Sequence, residues 1–163
     1  MNRKILSTPE YGWTDLMIGE HRYGLSYLTD VPYEWIENAI FGLEHAVPFA
    51  VHGFCEPNRM ICLVDYYNCH IIYETDGDFE LVGDDAPDYN TVHIGMYEFC
   101  KGLYEDISND LDKWADWGPS FWEDECEIKE HHKENVVDLQ DKLSRLKEQL
   151  EVWEKEHLGN AYW

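Results

Sequence analysis

Four short apolar segments follow one another at about residues 49–55, 60–66, 69–74 and 79–82. Turn chemistry separates them: Glu56-Pro57-Asn58-Arg59, the pair Tyr67-Asn68, and Thr75-Asp76-Gly77-Asp78. Connections this short cannot carry a parallel crossover, which needs a dozen or more residues. The segments therefore predict an antiparallel meander, and with it an α+β chain rather than a doubly wound sheet.

The flanking stretches extend the same reading. Tyr11, Trp13, Leu16 and Ile18 precede Gly19-Glu20-His21, and Tyr23, Leu25, Tyr27 and Thr29 then alternate, which predicts a hairpin over 11–18 and 22–29. Asp30-Val31-Pro32 opens a helix with Trp35, Ile36, Ala39, Ile40 and Leu43 on one face, closed by Pro48. Residues 83–90 form an acidic loop. Residues 92–116 form a helix that Gly118-Pro119 stops, and a last helix covers about 124–157. The expected organisation is an acidic α+β domain over 1–118, followed by a long C-terminal helix over 119–163.

Charge sorts the function classes. Thirty-four carboxylates face twelve Lys and Arg, a formal net charge of −22. Residues 60–128 hold 18 of the acids against only Lys101 and Lys113, whereas residues 129–163 balance eight acids with six bases. Such a surface repels phosphate backbones and anionic membranes, and it attracts a cationic protein in a salt-dependent way. The expected partner is a basic protein surface, with no direct contact to nucleic acid or membrane. A solvated acidic face kept for solubility is the competing account. The basic start, Met-Asn-Arg-Lys, has no apolar region behind it, and the five cysteines sit mostly in apolar runs, so a cytoplasmic protein with reduced thiols is expected. At 44% apolar and 15% aromatic residues, the chain has the material for a core.

The sharpest acidic pattern lies in the 92–116 helix. Glu98, Glu105, Asp112 and Asp116 fall within about 40° of one another at 100° per residue, and Asp106 and Asp110 widen that side. Met96, Cys100, Leu103, Tyr104, Ile107, Leu111 and Trp114 occupy the other. Carboxylates seven residues apart stand about 10.5 Å apart along a helix. A row of this kind, joined by Asp84, Asp85 and Asp88, mimics spaced phosphates and engages Arg or Lys meant for nucleic acid. Trp117 is the aromatic candidate for a partner anchor, since tryptophan is enriched at binding hot spots.

The last helix carries a second pattern. Val136, Leu139, Leu143, Leu146, Leu150, Trp153 and His157 are spaced alternately three and four residues apart, a seam of about three heptads. Leu139, Leu143, Leu146, Leu150 and Trp153 either pack back on the domain or pair with a second copy.

Catalytic and metal signatures are weak. Cys55, Cys62, Cys69 and His70 have ligand chemistry without zinc-knuckle spacing, and His131-His132 with Glu130 and Glu134 lacks the His-Glu-x-x-His pattern. No nucleophile elbow, phosphate loop or dinucleotide fingerprint is present. The expectation is no metal, no cofactor and no catalysis.

Three stretches, Ser26-Tyr27-Leu28-Thr29-Asp30, Phe54-Cys55-Glu56-Pro57 and Leu103-Tyr104-Glu105-Asp106, resemble small acidic immunity-type proteins of bacterial toxin loci. The likeness spans about residues 11–117, and the C-terminal seam helix has no place in it. It implies an inhibitor of a cognate toxin. Acidic phage anti-defence inhibitors, of anti-restriction or anti-CRISPR type, share the same acidic logic. The leading expectation is thus a non-catalytic inhibitor seated in the cationic groove of a nuclease or other nucleic-acid-binding protein. A homo-oligomeric adaptor using the C-terminal helix and an enzyme with an unidentified site are the alternatives.

Overall fold

A computed structural model describes residues 4–74, 88–118 and 124–158. Strands β1 (Trp13–Ile18) and β2 (His21–Ser26) form the expected hairpin. Their two-residue turn places Gly19 at φ 60, the left-handed first position that such turns reserve for glycine. A side chain at Gly19 would also collide with Val92. The N-terminal segment lies along β1, with Ser7 N–H donating to Asp15 O and Met17 N–H to Ile5 O.

Helix α1 (Val31–His45) buries Val31, Trp35, Ile36, Ala39, Ile40 and Leu43, the stripe that its spacing predicts. It ends on Ala46 in the left-handed conformation, just before the residue preceding Pro48, where an α conformation is disfavoured. Strands β3 (Phe49–Phe54), β4 (Arg59–Val64), β5 (Cys69–Glu74) and β6 (Asp88–Val92) follow in a four-stranded antiparallel sheet of order β3-β4-β5-β6. The Asp65 carboxylate shapes the β4–β5 turn by accepting from the backbone N–H groups of Tyr67 and Asn68.

The meander is therefore as expected, with one correction. The strand expected at 79–82 lies outside the described residues, and the fourth strand is Asp88–Val92, part of which was read as acidic loop. Asp-Tyr-Asn-Thr-Val carries loop-forming Asp and Asn, and pairing with β5 overrides that local preference. The next helix accordingly starts later. Helix α2 (Met96–Asn109) begins after Gly95, where any side chain would press on the Tyr66 carbonyl. The expected single helix also breaks at Asp110, whose carboxylate accepts from the Thr8 hydroxyl at 2.7 Å, and α3 (Leu111–Ala115) follows.

Helix α4 (Glu125–Trp153) is capped by the Asp124 carboxylate, which accepts from Cys126 N–H, and runs on into a π-helical turn, Glu154–Leu158. It packs on α1, α2 and α3. Tyr33 OH donates to Asn135 O, the Asn135 amide donates to Ala115 O, and Glu37 pairs with Lys142 and Arg145. The seam residues Leu139, Leu143, Leu146, Leu150 and Trp153 lie inside this chain's own core, so the packed-back arrangement is the one adopted.

The inner face of the four-stranded sheet supplies Phe49, Val51, Met60, Cys62, Val64, Cys69 and Ile71 to that core. Helix α1 and the β1–β2 hairpin cover it, the hairpin through Leu25 against Gly53 and Tyr23 against Tyr73, and Phe99 of α2 meets Phe49. Alternate residues of the same strands point to the outer face, where Ala50, His52, Ile61, Leu63 and Ile72 are exposed. No helix among the described residues is long and apolar enough to cross a membrane.

Candidate partner-binding surfaces

The structure divides the predicted acidic row. Glu98, Asp112 and Asp116 are exposed, and Glu105 is half-buried. Asp88 is exposed at the start of β6, while Asp84 and Asp85 lie outside the described residues. The break at Asp110 places Asp112 on α3 and Asp116 at its C-terminal cap, on a separate helix from Glu98 and Glu105. There they flank His132 of α4: Nδ1 lies 2.7 Å from Asp116 Oδ1 and Nε2 lies 3.4 Å from Asp112 Oδ1. The hydrogen bond to Asp116, with that of Asp112 adding to it, raises the pKa of His132 above its ordinary value. Two carboxylates of the row thus belong to an α3–α4 clamp.

Asp106 is not on the surface at all. It is 8% exposed, and its Oδ2 accepts from the backbone N–H groups of Ile5 at 2.6 Å and Leu6 at 2.8 Å. Burial pushes its pKa up, and the two backbone donors hold it down. The residue sits about 80° around the helix from Glu98, at the border between stripe and core. The N-terminal segment covers that border. Asp106 is a structural acceptor rather than a partner contact.

Trp117 is likewise inside. It is 4% exposed, its indole N–H donates to Thr29 O at 2.8 Å, and its ring lies 5.2 Å from that of Trp114. Its bulk closes the junction between α3 and the β2–α1 connection, so it is no exposed anchor.

A different aromatic, Tyr11, is the exposed one. Tyr11 is 99% exposed at the turn between Glu10 and Trp13, which exchange both of their backbone hydrogen bonds. Tyr11 has φ 52 and Gly12 φ 76, the two left-handed conformations of a type I′ turn. Asn or Gly is usual at the first of these, and a bulky residue there is strained. The turn borders a shallow groove of about 390 Å³ lined by Pro9, Glu10, Tyr11, Gly12, Lys113, Asp116 and Trp117. The Tyr-Gly dipeptide ahead of the first alternating run was the available signal. The alternation instead places Tyr11 at the start of the hairpin's first strand.

The metal-ligand candidates do not assemble. Cys62 and Cys69 are buried in the sheet core, and the Cys69 thiol donates to Ile94 O. Its contact with Cys62 and its burial raise the Cys69 pKa, and burial alone raises that of Cys55 to about 11. All five cysteines are free, and the Cys55 and Cys69 thiols stay protonated at neutral pH. His70 faces away from them, with Nε2 2.7 Å from Asp65 and Nδ1 within 3.2 Å of the Tyr89 and Thr91 hydroxyls. His131 and His132 point to different sides of α4, the first toward Glu134 and the second toward α3. Among the described residues no group of three His, Cys, Asp or Glu side chains is placed to hold a metal ion.

Comparison with protein-family models, curated proteins and solved structures finds no match to this chain, so its own residues carry the functional reading.

Proposed function

We propose that the chain is a non-catalytic inhibitor that occupies the cationic groove of a nuclease or other nucleic-acid-binding protein, with the Tyr11 turn as its contact edge. The observation that carries this is the turn itself. A fully exposed tyrosine is held in a strained conformation beside Glu10 and Asp116, in a chain of net charge −22. Strain at an exposed aromatic costs stability without improving the core, which favours a role in contact. A tyrosine face next to carboxylates suits an arginine side chain. The guanidinium stacks on the ring and pairs with the acid. The surrounding acids raise the rate of encounter with a basic surface and repel nucleic acid. Asp88, Glu98 and Glu105 add to that field, while Asp112 and Asp116 contribute most once His132 is neutral. Toxin immunity and phage anti-defence are the two settings in which such a mimic of nucleic acid acts.

The test is capture from cells with the tagged chain and with Tyr11→Ala side by side, followed by a salt titration of the complex. The expected result is a basic partner whose affinity falls steeply as NaCl rises and falls about tenfold or more with Tyr11→Ala, the scale of a binding hot spot. The captured partner's nuclease or nucleic-acid-binding activity should be lost on adding the chain. Recovery of no basic partner, or a complex indifferent to salt, overturns the proposal.

A further inference from the structure

The outer face of the four-stranded sheet is unlike the rest of the molecule. Its central row runs His52, Ile61, Ile72, Tyr89, each directly opposite the next across β3 to β6. The neighbouring row runs Ala50, Leu63, His70, Thr91. Ile61, Leu63, Ile72 and Tyr89 are 38%, 43%, 39% and 61% exposed, and Tyr67 stands exposed at the β4–β5 turn. Neither row contains a carboxylate, in a chain with thirty-four. Among the described residues, Asp65 pairs with His70 and Glu74 with Arg59, and Glu34 lies 4.0 Å from His52. The polar atoms within the rows also satisfy one another, since His70 Nδ1 lies 3.0 Å from Tyr89 OH and 3.2 Å from Thr91 Oγ1. An open antiparallel face ordinarily alternates to polar residues. This one presents hydrocarbon and aromatic surface.

We infer that this face is a self-association surface, on which a second copy of the chain stacks sheet against sheet about a two-fold axis. Charge selects the occupant. A basic partner finds no free carboxylate on these rows to draw it in. A second copy meets heavy repulsion wherever acidic surfaces would face each other, and these rows offer it contact without opposed carboxylates. Under a two-fold rotation the same apolar stripe meets itself, which is an isologous contact. Stacked sheets of this kind lie about 10 Å apart with strands within about 30°. The extent sets the strength. The two rows cross four strands and about four residues of each, roughly 19 Å by 13 Å, or about 250 Å² on each copy at standard strand spacing and rise. That is about a third of the roughly 800 Å² per partner of a standard stable interface. The dimer is accordingly weak and concentration-dependent. The seam of α4 does not compete for this role, because its leucines are inside the core.

Sedimentation equilibrium of the full chain tests the inference, from about 10 µM to about 500 µM protein and from about 50 mM to about 500 mM NaCl. The expected result is a monomer–dimer equilibrium whose dimer fraction rises with salt, because screening relieves the repulsion between two copies. A complex with a basic partner responds to salt in the opposite sense, so the two readings fail separately. Ile72→Lys is expected to weaken dimerisation by about tenfold or more while far-UV circular dichroism and the urea midpoint stay near the parent's. Tyr89→Lys, on the more exposed edge strand, provides the same test should Ile72→Lys not fold. A parent that stays monomeric at the highest protein and salt concentrations overturns the inference. So does a dimer that dissociates as salt rises, or one that both lysine variants leave intact.

Discussion

Replacing Asp106 with alanine removes a single carboxylate oxygen that serves two backbone donors. Ile5 and Leu6 are both fully buried, and their N–H groups reach Asp106 Oδ2 at 2.6 Å and 2.8 Å. A buried donor left unpaired costs about 1–3 kcal/mol, so two of them cost about 2–6 kcal/mol. Part of this is returned, because burial of the charged carboxylate is itself unfavourable, as the raised pKa of Asp106 indicates. The net loss should fall near the lower half of that range, about 2–3 kcal/mol. For a chain of this length, about 2–4 °C of melting temperature accompanies each kcal/mol, giving a fall of roughly 5–10 °C. Asp106→Asn keeps one acceptor oxygen without the charge and should lose less. The pH dependence has a definite sign. A carboxyl whose folded pKa is raised binds its proton more tightly in the folded state. The parent should therefore gain stability relative to Asp106→Asn as pH falls through the folded pKa toward the unfolded value near 3.9. Urea and thermal unfolding of the three proteins measure the energies, and hydrogen exchange at the Ile5 and Leu6 amides locates them. Asp106→Ala within about 0.5 kcal/mol of the parent, the range of ordinary surface changes, would refute the reasoning. Unchanged protection at both amides would do the same.

The clamp on His132 gives a second pH signature. Its pKa is raised, so its contribution is fully present below about pH 6.5 and is lost as pH rises through the folded value. Urea midpoints of the parent and His132→Gln should differ at pH 5.5 and converge at pH 8.5, and the difference should stay under about 1 kcal/mol because both aspartates are largely exposed. Leu146→Ala, at a fully buried seam position, should cost about 2–5 kcal/mol in unfolding experiments. A change in association state at unaltered stability would count against the packed-back helix. Tyr11→Asn should raise stability by roughly 0.5–1 kcal/mol, since asparagine tolerates the left-handed position that tyrosine resists. The same substitution should weaken partner capture, and a variant that is less stable than the parent would remove the argument from strain.

Local pattern makes much of the architecture legible in the sequence itself. The α1 stripe, the hairpin alternation and the short reversals of the meander each express one element's own period, and these were read from residues a few positions apart. Even the buried side of α2, with Met96, Cys100, Leu103 and Ile107, follows from helical spacing alone. The site was far less legible. An aspartate on a helix border and a tryptophan after a helix carry no mark of which side they will face.

Tertiary contacts made those choices. Asp106 turned inward because a segment a hundred residues earlier in the chain brought two N–H groups to it. Trp117 was buried against Thr29, and Asp112 and Asp116 were turned toward His132. Residues 88–92 became a strand because β5 offered an edge to pair with. Composition by itself determined that this chain is strongly acidic and able to form a core, and spacing determined which faces of its helices and strands are apolar. Neither says what covers a face. The α4 seam found its cover within the chain, on α1, α2 and α3, whereas Ile61, Leu63, Ile72 and Tyr89 on the outer rows of the sheet remain exposed. Burial depends on what the rest of the chain brings alongside a residue, and that is a property of the packed molecule.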